Sequence, residues 1–311
     1  MSLDQWFCEQ RWVRDGDEPC VTLGPAGAFD DMHIFAPAVA LADGEYRLYY
    51  CGSRGEVEER VFKMGLSTSS DGIRFKRHPN TPVLDFGEKP SVLTPTFLRS
   101  GDGHAVREDG RYRVWFSSTT FPPGKIHTVH KTSSTDGVTW DSPSEAQVAD
   151  AYAPTVVKDD DRYLMWYTDV SSEPWEFRCA ESQDGHAWQV HEEPIMVVDQ
   201  DWEHKRLFYP TVLKQDGIFL MWYGSYSDLD PMRTAIGFAV SQDGLHWEKH
   251  PGNPVFGPEP SREWESHYTT SQSIIALADG SYRIWYASRT KPPFTHKYFS
   301  IGTAVWRGAF A

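Results

Sequence analysis

One phrase of apolar and polar positions recurs five times along the chain. Each copy opens on a short apolar run that usually begins at a proline, passes through an acidic turn that usually holds glycine, and ends in two adjacent aromatic residues. The copies span 36–50, 94–116, 153–167, 209–223 and 273–286. Apolar and polar residues that alternate with period two predict strands, and Asp-Gly favours a tight turn between them. Each copy therefore predicts two antiparallel strands.

A second turn motif follows four of the five aromatic pairs. It reads Ser-x-Asp-Gly at 69–72, 134–137, 182–185 and 241–244, and an aromatic residue follows each copy within three positions. We expect Asp-Gly to supply the positive φ angles of a second hairpin, which gives four strands per unit. A repeat of roughly 60 residues built only from strands and turns predicts a β-propeller.

The two ends of the chain predict how the repeat closes. The fifth unit stops at 302–306 without its Ser-x-Asp-Gly turn, whereas residues 6–13 form an alternating stretch without a partner. We expect the N-terminal strand to complete the last blade, because closure removes exposed strand edges. The predicted fold is an all-β, five-bladed propeller of four-stranded antiparallel blades. The repeat runs through nearly all of 1–311, which predicts a single domain.

Composition narrows the classes of function. The chain is 40% hydrophobic and holds 13 Trp, 14 Tyr and 17 Phe, mostly at strand positions, where we expect them to pack between blades. The net charge of -14, with no basic stripe, argues against binding to nucleic acid or to an anionic membrane. We see neither a signal peptide nor a membrane-spanning run, and expect a cytoplasmic protein. Four cysteines without metal-type spacing are expected to be buried or idle thiols.

Carboxylates precede every predicted innermost strand. The five lead-in segments are 29–33, 85–89, 150–152, 202–206 and 264–268, and each holds at least one Asp or Glu. In a propeller these segments approach the central channel, where close like charges shift one another's pKa and separate a general acid from a general base. The alternative is that these residues cap turns. The candidate catalytic residues are Asp30, Asp31, Asp150 and Glu203.

The loops of the same face combine charged side chains with an exposed ring, as binding of a polyhydroxylated ligand requires. Trp175 lies outside the strand pattern and is the preferred platform for stacking on a sugar, with a loop staple as the alternative. Loop residues Glu56, Lys125 and His296 belong to the same set. The candidate substrate-binding residues are His33, Arg54, Tyr152, Trp175, His204, Tyr209, Glu265, His267 and Arg289.

The phrases at 35–39, 46–50 and 241–247 resemble those of the five-bladed propeller glycoside hydrolases, the group that holds families 43, 62, 32, 68, 117 and 130. The resemblance covers essentially the whole chain. It implies Asp30 or Asp31 as base, Asp150 as the orienting residue and Glu203 as acid. The family places an Asp directly beside the strand-opening proline, where this chain has Ala36, Ala153 and Tyr209.

The favoured hypothesis is an inverting glycosidase that acts on a small glycan or a glycan chain end, with no required cofactor and carbohydrate as its partner. A non-catalytic carbohydrate-binding propeller is the second hypothesis. The third is a metal-dependent enzyme in which His33, His204 and His267 converge. The central channel is also a candidate site for a structural calcium ion, with His267 beside it. The oligomeric state is left open.

Overall fold

A computed structural model describes residues 3–55, 60–120, 127–291 and 299–309. These residues form strands and two short 3-10 helices, Leu3–Trp6 and Glu263–Glu265, and this part of the chain has no α-helix. The predicted all-β class is confirmed. Within the same residues no helix has the length and apolar character needed to cross a membrane.

The strands follow one another in chain order with short connections. They are β1 (Val13–Arg14), β2 (His33–Ala42), β3 (Glu45–Ser53), β4 (Lys63–Ser69), β5 (Lys76–Arg77), β6 (Leu93–Arg99), β7 (Arg107–Glu108), β8 (Arg111–Ser118), β9 (Thr128–Ser134), β10 (Val148–Ala149), β11 (Ala151–Asp159), β12 (Arg162–Asp169), β13 (Glu176–Ser182), β14 (Gln189–Val190), β15 (His204–Gln215), β16 (Ile218–Leu229), β17 (Met232–Ser241), β18 (Trp247–Lys249), β19 (Tyr268–Ala276), β20 (Tyr282–Arg289) and β21 (Phe299–Trp306).

The strands pair in consecutive antiparallel groups. The first group consists of β2 to β5. The second consists of β6 and β8 to β10, with β7 paired to β8. The third consists of β11 to β14 and the fourth of β15 to β18. In the last group β1 pairs with β21, as the sequence predicts, through Val13 opposite Val305. The innermost strands β2, β6, β11, β15 and β19 contact one another in turn, and β19 contacts β2. The groups therefore surround a common axis, which is the arrangement of a propeller.

Each innermost strand carries a bulge at its strand-opening proline or the equivalent glutamine. A non-glycine residue with positive φ precedes it, at a cost of about 1–2 kcal/mol each. The five residues are Ala36 (φ 52°), Thr94 (47°), Ala153 (51°), Tyr209 (56°) and Ser271 (44°). The strand pairing shifts register at the same places. Bulges re-aim the neighbouring side chains, here toward the axis.

In four of the five pairs the first aromatic residue hydrogen-bonds to the next group, whereas Trp115 donates to Gln147 of its own group at 3.1 Å. Trp285 Nε1 donates to the Gly72 carbonyl at 2.9 Å, Tyr49 to Gly137 at 2.9 Å and Trp166 to Gly244 at 2.7 Å, each glycine lying in a Ser-x-Asp-Gly turn of the following group. The last group lacks that turn. Gln10 of the N-terminal segment takes its place and accepts from Trp222 Nε1 at 3.0 Å. The expected packing role of these rings is confirmed.

The two turn motifs differ in backbone geometry. In three of the five first turns, at 43–44, 109–110 and 216–217, both residues have positive φ, as at Asp43 (53°) and Gly44 (79°), which fits a two-residue hairpin. In Ser-x-Asp-Gly only the glycine does, as at Gly72 (73°), so the expectation of a second tight hairpin is wrong. Asp71 instead accepts from the amides of Ile73 and Arg74, both at 2.8 Å, and holds a longer loop.

Candidate functional site

A cavity of about 270 Å³ opens at the axis, on the side where the innermost strands begin. Its described lining combines aromatic rings with cationic and hydroxyl groups. The lining residues are His33, Phe35, Arg60, Phe62, Leu93, His127, Tyr152, Trp175, Arg206, Phe208, Tyr209, Tyr226, Thr234, Thr270, Ser271 and Phe299.

The bulges of the innermost strands build the floor. The residue before each positive-φ position lines the cavity, and these residues are Phe35, Leu93, Tyr152, Phe208 and Thr270. All five are at most 9% exposed, so strand packing holds them. Thr270 is 6% exposed and its Oγ1 has no hydrogen-bond partner among the described residues. A hydroxyl in that position is available to a ligand.

One wall joins a guanidinium to an indole ring. The Arg206 guanidinium lies 3.9 Å from the centre of the Trp175 ring and donates from Nε to Glu173 at 3.0 Å. The Leu207 amide donates to the Trp175 carbonyl at 3.0 Å, which fixes the loop against β15. Trp175 therefore lines the cavity as predicted, but Arg206 already covers part of its ring.

The opposite wall is a stack of rings backed by a second guanidinium. The His33 ring lies 4.0 Å from that of Phe299, nearly parallel, and 5.1 Å from Phe62. The guanidinium of Arg60 is 5.5 Å from the Phe62 ring. Arg289 is fully buried behind this wall, 4.6 Å from the Phe299 ring, and is not among the lining residues.

Tyrosine and histidine side chains meet at a third side. The hydroxyls of Tyr152 and Tyr209 are 2.8 Å apart, and burial raises the pKa of both well above the usual range, so both stay protonated. The His127 ring lies 5.0 Å from Tyr152. Burial lowers the pKa of His127 to about 4 despite the opposing charge of Asp150, so its imidazole is neutral at pH 7.

No carboxylate belongs to the described lining of the cavity. This corrects the expectation that acidic lead-in residues converge there. Asp30, Glu203 and Glu265 are at most 3% exposed and lie beneath their own groups of strands. The second aromatic residue of the pair binds each one: Tyr50 donates to Asp30 at 2.7 Å, Tyr223 to Glu203 at 2.7 Å and Tyr286 to Glu265 at 2.6 Å.

A basic residue of the outermost strand completes each of these three arrangements. Arg77 of β5 pairs with Asp30 at 2.9 Å, Lys249 of β18 with Glu203 at 2.7 Å and Arg14 of β1 with Glu265 at 2.9 Å. Each carboxylate thus joins the lead-in segment to the second and outermost strands. We call this arrangement the carboxylate staple. It gives Asp30, Glu203 and Glu265 a role in folding.

The other predicted site residues lie outside the cavity lining. Asp31 accepts from the Gly27 amide at 2.7 Å within its own loop, and Arg54 is exposed. His267 Nδ1 lies 2.8 Å from Ser266 Oγ, and His204 begins β15 opposite Tyr226. Asp150 is near His127 and carries a positive φ of 54°. Glu56, Lys125 and His296 lie outside the described residues.

The metal hypotheses find no donor set in the described ranges. No three His, Cys, Asp or Glu side chains there are arranged to hold a metal ion, so His33, His204 and His267 do not converge. The four cysteines are free thiols. The axial channel below the cavity is lined by hydroxyls and by Arg99, whose positive charge opposes the calcium ion expected there.

Sequence reasoning missed most of the aromatic lining, namely Phe35, Phe62, Phe208, Tyr226 and Phe299. These residues look like core positions because they sit in or beside apolar strands. A usable signal existed for part of the set. Phe35, Leu93, Tyr152 and Phe208 all stand two residues before the strand-opening proline, so one position of the repeat maps to one layer of the cavity.

Comparisons with known proteins agree with this architecture. Residues 124–294 match the sequence model of glycoside hydrolase family 130, described as beta-1,4-mannooligosaccharide phosphorylase. An uncharacterized protein of Mycobacterium tuberculosis, MT1551, is 27% identical over 241 residues, which are 73% of this chain and 77% of that protein.

Two solved structures show the fold at low identity. The description of the first states that the GH130 family of mannoside phosphorylases contains glycoside hydrolases that target beta-1,2 mannosidic linkages in Candida mannan. That structure has a TM-score of 0.70 at 16% identity and covers 96% of this chain and 94% of that chain. An N-acetylgalactosamine deacetylase from F. plautii has the same TM-score and identity and covers 96% and 95%. The shared fold therefore hosts different chemistries.

Proposed function

This chain belongs to glycoside hydrolase family 130, whose model spans 171 of its 311 residues, and from that premise we propose that it cleaves glycosidic bonds by phosphorolysis. Membership confirms the prediction of an enzyme that acts on glycans. The finer proposal is that inorganic phosphate accepts the glycosyl group in the central cavity.

One observation carries the proposal. In the described part of the chain the cavity has two guanidinium groups, Arg60 and Arg206, and no carboxylate. Hydrolysis with inversion needs a carboxylate base to activate water, whereas phosphate is itself an anionic nucleophile and needs cationic donors. Arg206 is paired with Glu173 at the rim, so phosphate shares this guanidinium with that carboxylate.

The reaction balances with hydrogen phosphate as the co-substrate. A phosphate oxygen bonds to the anomeric carbon while the bond from that carbon to the leaving oxygen breaks. The leaving oxygen takes the proton that hydrogen phosphate loses. The products are a sugar 1-phosphate and a shortened glycan. The guanidinium groups hold the phosphate and offset its charge. One of the paired Tyr152 and Tyr209 hydroxyls donates to the other, so the second keeps a proton that it can donate to the phosphate.

The sugar faces the aromatic side of the cavity. A volume of about 270 Å³ bounded by Trp175, Phe208 and Tyr226 fits the end of a glycan better than the middle of a long chain. We take the substrate to be a mannooligosaccharide, the class in the description of the family model. The scaffold is proposed to be one domain of five blades, with β1 completing the fifth.

The direct test is incubation of the purified chain with β-linked mannooligosaccharides, with and without inorganic phosphate. We expect mannose 1-phosphate to form only when phosphate is present, detected by ³¹P NMR and chromatography. The reverse reaction, from mannose 1-phosphate and a mannose acceptor, should lengthen the glycan. Release of free mannose at the same rate without phosphate contradicts phosphorolysis.

Hydrolysis with inversion is the second candidate, and one observation favours it. Glu173 is held at the rim of the cavity by Arg206 and is an exposed carboxylate. Among the described residues, Glu173 is therefore a carboxylate that both contacts a side chain of the cavity lining and is accessible to solvent. If mannose is released without phosphate, Glu173→Gln should abolish that release, and a Glu173→Gln variant of full activity excludes this route.

A further inference from the structure

Arg99 is a buried cation whose hydrogen bonds to described residues all go to neutral groups. It ends β6, is 3% exposed, and donates to the Ile274 carbonyl at 3.1 Å, to Ser273 Oγ at 3.0 Å and to the Gly103 carbonyl at 3.4 Å. No carboxylate in the described residues forms an ion pair with it. Burial lowers its pKa to about 10, so the guanidinium is charged at neutral pH.

A buried charge is costly unless a counter-charge accompanies it. Arg99 Nε has no hydrogen-bond partner in the described part of the chain. Arg99 also lines a narrow channel on the axis, immediately below the cavity that we assign to the substrate. Tyr209 and Ser271 line both spaces.

The channel is small, and its lining combines alanine and proline residues with hydroxyl groups and Arg99. Its volume is about 30 Å³, room for about two water molecules or one monatomic ion at ~10–15 Å³ per water. Thr155 lines it, is 3% exposed, and has no hydrogen-bond partner for Oγ1 among the described residues. Thr94, Thr96 and Thr211 also line it, but their hydroxyls bond to Ser117, to the Phe97 carbonyl and to the Gln272 carbonyl. The Thr155 hydroxyl beside the guanidinium is therefore the donor that suits an anion.

We propose that this axial channel binds one small monovalent anion, chloride, held by Arg99 and by the Thr155 hydroxyl. The ion supplies the counter-charge that Arg99 lacks among its protein contacts. The volume admits a halide and excludes phosphate with its four oxygens, so the site is distinct from the phosphate position proposed above and does not depend on it.

The expected consequence is structural. Arg99 belongs to β6, and its partners Ser273 and Ile274 belong to β19, so the guanidinium connects two innermost strands that are not neighbours in sequence. An anion that binds only the folded chain stabilises it by mass action. Chloride should therefore raise the stability of the closed ring.

Thermal unfolding tests this directly. The full chain is heated in sodium chloride, sodium bromide or sodium gluconate at equal ionic strength. We expect both halides to raise Tm by about 2–4 °C over gluconate, with saturation in the millimolar range. Equal Tm values in the three salts contradict the proposal.

Thr155→Val is the informative variant, because the Thr155 hydroxyl bonds to no described protein group. The variant should fold, keep its Tm in gluconate and lose most of the halide-dependent rise. Arg206→Gln is the matched control: it removes a cation from the cavity above and should keep the full rise. A halide effect that persists in Thr155→Val but vanishes in Arg206→Gln would move the anion to the upper cavity and overturn the proposal.

Bromide gives an independent readout. Crystals grown in sodium bromide should show an anomalous peak in the axial channel beside Arg99, and Thr155→Val crystals should show a weaker one. A channel that holds only water under the same conditions excludes the site.

Discussion

The Arg206 guanidinium lies 3.9 Å from the centre of the Trp175 ring. One strand residue and one loop residue thus form a single surface with a cation and an aromatic face. The same guanidinium pairs with Glu173 at the rim. Loss of either partner should change ligand binding in different ways, because the cation serves an anion and the ring serves a sugar.

Arg206→Gln should weaken phosphate binding. A charge-assisted hydrogen bond contributes about 1.5–3 kcal/mol, so we expect KM for phosphate to rise roughly 10- to 100-fold with a smaller change in KM for the glycan. Initial rates at varied phosphate measure this. Arg54→Gln is the matched control, since Arg54 is exposed and outside the lining, and it should leave KM for phosphate unchanged. An unaltered KM for phosphate in Arg206→Gln would show that phosphate does not bind to Arg206.

Trp175→Ala should weaken glycan binding while sparing phosphate. Aromatic contacts of this kind contribute about 0.5–1.5 kcal/mol beyond buried area, so kcat/KM for the glycan should fall about 10-fold or more. Trp175→Phe keeps a ring beside Arg206 and should retain most of the activity. Steady-state kinetics with the glycan varied gives the answer. Equal losses in the Ala and Phe variants would indicate that the indole only positions its loop.

Glu203→Gln tests the carboxylate staple against the catalytic role first suggested for Glu203. Its carboxylate is buried, accepts from Tyr223 and pairs with Lys249, so the substitution removes the buried one of the two carboxylates that pair with that ammonium and leaves the exposed Asp199. We expect a loss of about 1–3 kcal/mol in the free energy of unfolding. Urea titration measures that loss, and turnover per folded molecule should stay within twofold of the wild type.

The double variant Glu203→Gln with Lys249→Met is the control for that experiment. It removes both charges and should recover part of the stability lost in Glu203→Gln. A Glu203→Gln protein that is as stable as the wild type but inactive would instead return Glu203 to the catalytic machinery.

His127 should make stability depend on pH in an acidic window. Its pKa is about 4 in the folded chain and near 6.5 when unfolded, so the unfolded chain binds more protons between those values. Stability should therefore rise from pH 4 to pH 6.5 and level off above it, by at most about 3 kcal/mol from this group. His127→Asn should flatten the rise, as followed by urea unfolding at several pH values. An identical slope in both proteins would show that other groups cause it.

The repeat was readable from the sequence because turns and alternation are local. Asp43-Gly44 specifies a hairpin through backbone angles that few other residues adopt, and Tyr49-Tyr50 marks the end of the strand that follows. The pairing of the N-terminal segment with the last strand was also predictable, since an unpaired alternating stretch needs a partner. The boundaries were not: only Val13–Arg14 joins the sheet, while Gln10 serves by its side chain.

The candidate site was only partly predictable. Tyr152, Trp175, Tyr209 and His33, which the sequence predicts to bind substrate, lie in the cavity lining, whereas the predicted catalytic carboxylates do not. The sequence shows that Asp30 and Glu203 precede strands, but it does not show that Arg77 and Lys249, over 40 positions later, meet them across a buried tyrosine. Without those partners a buried carboxylate and a catalytic one look alike.

The sequence by itself determined the all-β repeat and the positions of its turns, because both depend on period and on backbone preferences within a few positions. Only the tertiary structure decided which charges are buried in ion pairs beneath the groups of strands and which line the cavity. The partners of a carboxylate are the groups that folding brings to within about 3 Å of it. Here folding pairs Asp30, Glu203 and Glu265 beneath the groups of strands and places the guanidinium groups of Arg60 and Arg206 in the cavity lining.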